Sequence, residues 1–484
     1  MARFSPLMAS LPLLISLMSA TFQAQANNQL PDIGTAGVAA LPIEQEVRYG
    51  NAFMRFARAG LPIIDDPVLS EYIDDLGQRL LTNADGVRFP FTFFLINDPS
   101  INAAAFLGGR VKVHTGLFLY ADNESELASV LAHEITHVTQ RHIARYMEAQ
   151  ASSSAMTLAG LVGSIALAVI NPTAGIAALQ TTLGLSMQSA INYTRDNEYE
   201  ADRIGMKTLY DAGFDPMGMA SFFQKLAAEY RYASKPPEML LTHPLPETRI
   251  SEARARANSY GRRALPPSLD FWLAKVRIQV RYGTESPQAL LTYFDSRLQK
   301  GDYPLKDAAT YGKALALLQL KRTDEADTLM QRLAARHPED LFVVDALTDI
   351  DLAKGRSAQA IARLERFRTR MPDNEVVVVN LGNAYLEAGN YKKSIAILDP
   401  YAREHDENSL AWSLLSDAYR KAGRMTDLHM ARAETLSLRG DYQAAIDELI
   451  VARGTTSDKL TLARIEARIT QLERAKKDLD SLKG

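Results

Sequence analysis

The chain has 484 residues, 47% of them hydrophobic and 23% charged, and a formal net charge of -3. These are the values of an ordinary globular chain of several domains. They exclude a mainly disordered or collagen-like chain and a global basic field for nucleic acid. Cysteine is absent and there are eight histidines, so a metal would fall to His, Asp, Glu, backbone or water.

The first residues read as an export signal. Arg3 precedes the apolar run Leu7 to Met18, and Ala24-Gln25-Ala26 has the small-x-small form of a cleavage site. The run is short for a membrane span of ~30 Å. Cleavage is expected after Ala26, and with no Cys following it no lipid anchor is expected. The predicted location is the periplasm.

Apolar spacing predicts helices over 43–60 and 69–81, and Phe89 to Ile96 reads as a strand. Gly108-Gly109 marks a turn before a short alternating strand, Val111 to His114. One long helix is predicted from Asn123 to Gln150, with Leu127, Val130, Leu131, Ile135 and Val138 at spacings of three and four. Asp122 or Asn123 would cap it. The 150–194 stretch carries no charge between Glu148 and Arg195. Its most apolar part, Ala155 to Ile170, is too short for a span. It reads as an apolar helical hairpin, either buried in the core, covering a neighbouring site, or touching a membrane peripherally.

Leu265-Pro-Pro-Ser268 breaks the chain. Beyond it Gly355, Gly389 and Gly423 recur at intervals of 34, as do Pro338 and Pro372, and Leu347, Leu381 and Leu415. This resembles the tetratricopeptide repeat, a helix-turn-helix unit that stacks into a solenoid with a concave binding face. The pattern is clear from about 308 to 425. It shortens at Gly440, where one helix slot is expected to be altered.

Inside the predicted long helix stands His133-Glu134-Ile135-Thr136-His137. Positions i and i+4 share a helix face, so both imidazoles reach one ion. Glu134 lies beside that ion as a base for water instead of as a ligand. Catalysis needs a third protein ligand and an open position. A closed structural zinc, or a merely solvated helix face, is the alternative. His142, five residues after His137, falls off the ligand face and reads as a surface or helix-packing residue. Asn197-Glu198-Tyr199-Glu200-Ala201-Asp202 is the better source. Glu198 and Asp202 share a face, so that one carboxylate binds metal and the other orients a ligating imidazole.

His133-Glu134-x-x-His137 followed by Glu198-x-x-x-Asp202 resembles the gluzincin family that includes HtpX and the CAAX-prenyl endopeptidases. Asn102-Ala103, Gly108-Gly109 and Thr115-Gly116-Leu117 resemble the strand ahead of that family's zinc helix. The resemblance covers roughly 43 to 255. It implies one Zn2+ per chain held by His133, His137 and Glu198, Glu134 as general base, and Asp202 behind a ligand. It also implies extended substrate paired along the Asn102–Ala103 strand edge. The family shares a His-Pro followed by Arg, here His243-Pro244 and Arg249. His243 then serves as a fourth ligand in a resting state or as a donor to a developing oxyanion, with Arg249 anchoring its loop. A loop histidine with a satisfied hydrogen bond is the plainer reading.

The expected fold class is therefore α+β and mainly helical: a gluzincin metalloprotease domain with a small sheet, then an all-α tetratricopeptide-repeat solenoid. The expected divisions are 1–26 (signal), 27–265 (protease) and 266–484 (repeats). As a whole the chain resembles periplasmic proteases of Gram-negative bacteria that act in outer-membrane β-barrel assembly and quality control. That resemblance implies as partners unfolded or stalled barrel precursors, such as the lipopolysaccharide-transport barrel LptD, and the barrel-assembly complex. It also implies a position at or near the outer membrane. The competing expectation is an assembly adaptor or chaperone working through its repeats, with latent proteolysis.

Overall fold

The computed structural model describes residues 37–38, 41–149, 187–231 and 237–481, of which 149, 187–194, 238 and 481 are described by backbone alone. The predicted signal lies outside these residues. So does the predicted apolar hairpin, apart from helical backbone at 187–194.

Two helices open the described chain, α1 (Ile43–Gly60) and α2 (Pro67–Leu81). Asp66 caps α2 by accepting from the Leu69 amide, and Pro67 occupies the first turn, where its missing N–H costs nothing. A three-stranded sheet follows: β1 (Thr92–Ile96), β2 (Ala103–Phe106) and β3 (Arg110–His114), in the order β1-β3-β2. β3 is central, parallel to β1 with Thr92 opposite Arg110, and antiparallel to β2 with Ala103 opposite Val113. One face of the sheet packs Phe93, Leu95, Val111 and Val113 on α2 and on the helix that carries Leu127, Val130 and Leu131. The other packs Phe94, Ile96 and Phe106 on Phe53, Met54 and Ala57 of α1. β3 is buried on both faces after its first residue. The first strand starts at Thr92, not Phe89. Pro90 has no amide to give a ladder, and Phe89 and Phe91 serve the core from a loop.

The predicted long helix is two helices, α4 (Glu124–Thr139) and α5 (His142–Ala149), after the short α3 (Thr115–Tyr120). The apolar period continues, but Arg141 stands at φ 52. Its buried guanidinium donates from Nε to Glu46 of α1 at 2.8 Å and also reaches the Leu41 carbonyl. That tertiary pair, invisible to helical periodicity, turns the chain. Helices α6 (Met187–Asp211), α7 (Met217–Tyr230), α8 (Glu238–Thr242) and α9 (Glu247–Tyr260) complete this half.

From Leu269 to Ser481 the described chain is a series of helices, paired in chain order from Pro287 onward. The pairs begin before 308 and continue past 425. Gly355, Gly389 and Gly423 close the first helix of successive pairs at φ 68 to 72, and Lys321 holds the same slot one repeat earlier at φ 60. At Gly440 no helix is lost. The second helix of the pair, Met425–Leu438, ends on a left-handed glycine and the next begins at Tyr442, which shortens the interval.

Packing does not stop at the Pro-Pro linker. One apolar core runs from α2 through the sheet, α4 and α7 into the repeats as far as Val376. Arg277, 1% exposed, donates to Asp66 before α2 at 2.8 Å and pairs with Asp345 at 2.7 Å. Glu71 of α2 accepts from Asn374 of the repeats at 2.8 Å. Burial first, then Asp75 and Glu375, raise its carboxyl to about 7 against the Asn374 hydrogen bond. A carboxyl raised on folding favours the native state while protonated, and that gain is lost as pH rises from 4.5 through about 7. Glu71→Gln is therefore expected to raise Tm by roughly 1–3 °C at pH 8 and to leave it unchanged at the acid end, as read by thermal scans.

Candidate metal centre

α4 is capped by Asn123, whose side chain accepts from the Glu126 amide at 3.1 Å, with Glu124 and Glu126 in the first turn. It presents His133 and His137 toward α6, and α6 answers with Glu198 and Asp202. The helices meet closely at Gly205, where an added Cβ would stand 3.1 Å from the Ala132 carbonyl and the His133 amide. A side chain there would push the carboxylates away from the imidazoles. Gly205 is a site residue that the motif search passed over, and its only signal is a glycine mid-helix, one turn after Glu198-x-x-x-Asp202.

His133 Nε2 and His137 Nε2 are 3.0 Å apart. Glu198 stands 3.3 Å from the first and 3.4 Å from the second. His243, at the end of α8, brings Nδ1 to 3.3 Å from His133 Nε2 and 2.9 Å from Glu198 Oε1. Atoms of His133, His137, Glu198 and His243 all lie within 4.8 Å of one another. Glu134 accepts from the Ala105 amide of β2 at 2.9 Å, and its other oxygen is 3.4 Å from His243 Nε2.

Asp202 lies behind the cluster, 3.0 Å from His133 Nδ1. Arg249 grips it with two hydrogen bonds of 2.7 Å. The same guanidinium pairs with Glu198 at 2.8 Å and donates to the Pro244 carbonyl at 2.6 Å, so the His243 loop hangs from it. Burial pushes His137 down to about 3. Burial also opposes charge on His133, but its hydrogen bonds to Asp202 and Glu198 outweigh it and lift that ring to about 10. Glu198 is held well below the usual carboxylate range, with the charges on His243 and His133 overriding burial.

This donor set fits a divalent cation. Imidazole nitrogens and a carboxylate converge on one point, and burial disfavours charge on His137 there. Glu198 and Asp202 share one buried guanidinium, which holds both carboxylates toward the imidazoles. Asn102 is 2% exposed, accepts from the His114 amide and precedes Ala103, the first residue of β2. Among the described strands β2 is an edge. His142 is not the surface residue its spacing implied: it is buried, and its ring lies against His137. Glu200, which lies on α6 between the two acidic site residues, accepts from His142 and Arg145, and those hydrogen bonds hold its carboxyl down to about 2 against burial. His114 is buried against Ser100 and takes no part in the cluster.

Residues 67–257 match the family model Peptidase family M48, and residues 308–340 and 351–418 match tetratricopeptide-repeat models. Fold and site thus define a metallopeptidase domain joined to a helical-repeat array. The chain is 46% identical over 340 residues to the beta-barrel assembly-enhancing protease of Escherichia coli K12, covering 70% of each protein. It is 50% identical over 338 residues to that of Yersinia pestis, covering 70% of this chain and 69% of the relative. A Vibrio cholerae protein of the same class is 54% identical over 322 residues, 66% of each chain. This chain belongs to the beta-barrel assembly-enhancing proteases, metalloproteases of family M48 with tetratricopeptide repeats. No described helix is long and apolar enough to cross a membrane.

Removing Arg249 would take the guanidinium from two buried carboxylates. Arg249→Leu is expected to cost about 3–5 kcal/mol, and Arg249→Lys less, since it keeps the charge but not the fork. Urea unfolding of the two variants checks the order.

Proposed function

We propose that the chain is a periplasmic zinc endopeptidase that acts on outer-membrane β-barrel precursors which fail to assemble. The observation that carries this reading is the convergence of His133, His137 and Glu198 beside Glu134, which is bonded to β2, an edge among the described strands. His133, His137 and Glu198 would hold zinc, with Asp202 orienting His133. When bound, zinc supplies a Lewis acid that polarises the scissile carbonyl and acidifies water.

The chain's own residues supply the rest. His114 donates its amide to the Asn102 carbonyl, and alternation then turns the backbone of Ala103 and Ala105 toward the open edge. An extended substrate adds there as a further strand, which positions a peptide bond without demanding particular side chains. Glu134 takes a proton from the attacking water and returns it to the leaving amine. Its contact with the Ala105 amide fixes the base to the strand that positions the substrate.

His243 regulates this site. It lies among the ligands, held by Arg249 through the Pro244 carbonyl, and in that position it occupies the place substrate or water needs. Opening of the loop then limits cleavage to clients already engaged. The repeats dock those clients, precursors of the LptD kind, or the barrel-assembly complex. The closed His243 position also favours the second reading, an assembly adaptor whose protease is mostly latent. The predicted division into signal, protease domain 27–265 and repeats 266–484 gives each task its part of the chain.

Purified protein and Glu134→Gln, each offered an unfolded β-barrel precursor, test the assignment. Cleavage is expected to fall about 10²–10⁴-fold in the variant with unchanged thermal stability, because the amide oxygen still accepts from Ala105. Equal cleavage by both would remove Glu134 from the mechanism. Glu134→Gln that still supports barrel assembly in cells would put the adaptor reading first. His243→Ala is expected to raise basal cleavage. Turnover equal to wild type would reject the gating role.

A further inference from the structure

The turn at Arg141 has a chemical result. On a continuous helix, position 142 would sit about 140° around from 137. With Arg141 at φ 52 the chain folds back, and His142 Nδ1 comes to 2.9 Å from His137 Nδ1. His142 Nε2 lies 3.2 Å from Glu200 Oε2, and the same oxygen accepts from Arg145 Nη1 at 2.7 Å. His142 is 4% exposed, too enclosed for water to replace these partners freely.

The hydrogen positions follow from the partners. Glu200 is a carboxylate and only accepts, so His142 carries its proton on Nε2. A neutral His142 then has a bare Nδ1, which only accepts. His137 must therefore carry its proton on Nδ1, and its Nε2, the atom facing His133 and Glu198, is left with the lone pair. We propose that His142, fixed by Glu200, sets the tautomer and ring orientation of His137 and is a positioning residue for the metal site. This rests on the reading of His133, His137 and Glu198 as zinc ligands. It makes the two ligating imidazoles equivalent in design, since each has a partner on Nδ1: Asp202 for His133 and His142 for His137.

The test compares His142→Leu, which fills space without an acceptor, with His142→Asn, whose carbonyl oxygen stands where Nδ1 stood. Full-length protein is loaded with zinc and challenged with a chelating dye, and a parallel sample is loaded with cobalt(II) for its absorption spectrum. Loss of zinc affinity of about 10–100-fold is expected in the Leu variant, with a changed cobalt spectrum and substantial recovery of both in the Asn variant. Wild-type affinity and spectrum in the Leu variant would overturn the proposal and leave the ligand assignment standing. Equal impairment of Leu and Asn would make His142 a packing residue, which also overturns it. Should the Leu variant not fold, the Asn variant decides, since a lost wild-type cobalt spectrum there rejects the role. Wild-type protein that binds neither ion would bring down the ligand reading itself, and this proposal with it.

Discussion

The contact on which the site depends is the buried fork between Arg249 and Asp202. Asp202 orients His133, and the same guanidinium compensates Glu198 and carries the loop of His243. Three helices and a loop are thus registered by one charge. Buried ion pairs rarely add much net stability over an apolar core, but breaking one is costly. The arrangement therefore fixes positions more than it adds stability. Helix α6 cannot slide along α4 without leaving a carboxylate unpaired, and Gly205 sets how near the two helices come.

Two other buried arginines do the same work at longer range. Arg141 ties the end of the motif helix to Glu46 on α1, and Arg277 ties the first repeat helix to Asp66 before α2 and to Asp345. Together they bind segments distant in sequence into one core. The protease half and the repeats are consequently not beads on a linker. The apolar cluster that begins under the sheet ends inside the repeats.

Much of this was legible in the residues. The spacing of His133, Glu134 and His137, and of Glu198 and Asp202, marked the centre because helix geometry maps i, i+4 directly onto a shared face. The 34-residue columns marked the repeats for a similar reason. What escaped depended on tertiary partners. The break at Arg141 is made by Glu46, ninety-five positions away, so the apolar period ran straight through it. His142 was misplaced for that reason alone, since its spacing from His137 was read on a helix that does not continue. Lys321 hid a repeat boundary by filling a glycine slot at φ 60. The first strand was overlong because Phe89 and Phe91 are core residues without ladder partners.

The last helices of the array pack back on α1, the first described helix. Ala52 of α1 belongs to the apolar cluster of Tyr442, Leu449 and Ile469, and Arg55 lies over the Tyr442 ring and against Gly440. The first repeat helix is meanwhile pinned at Asp66. A solenoid with two free ends can gain or lose units by duplication at little cost, because each unit contacts only its neighbours. An array anchored at both ends to the same body cannot. Inserting one more 34-residue unit between them would pull either Arg277 or Tyr442 off its seat, so the body they pack on sets the length of the array.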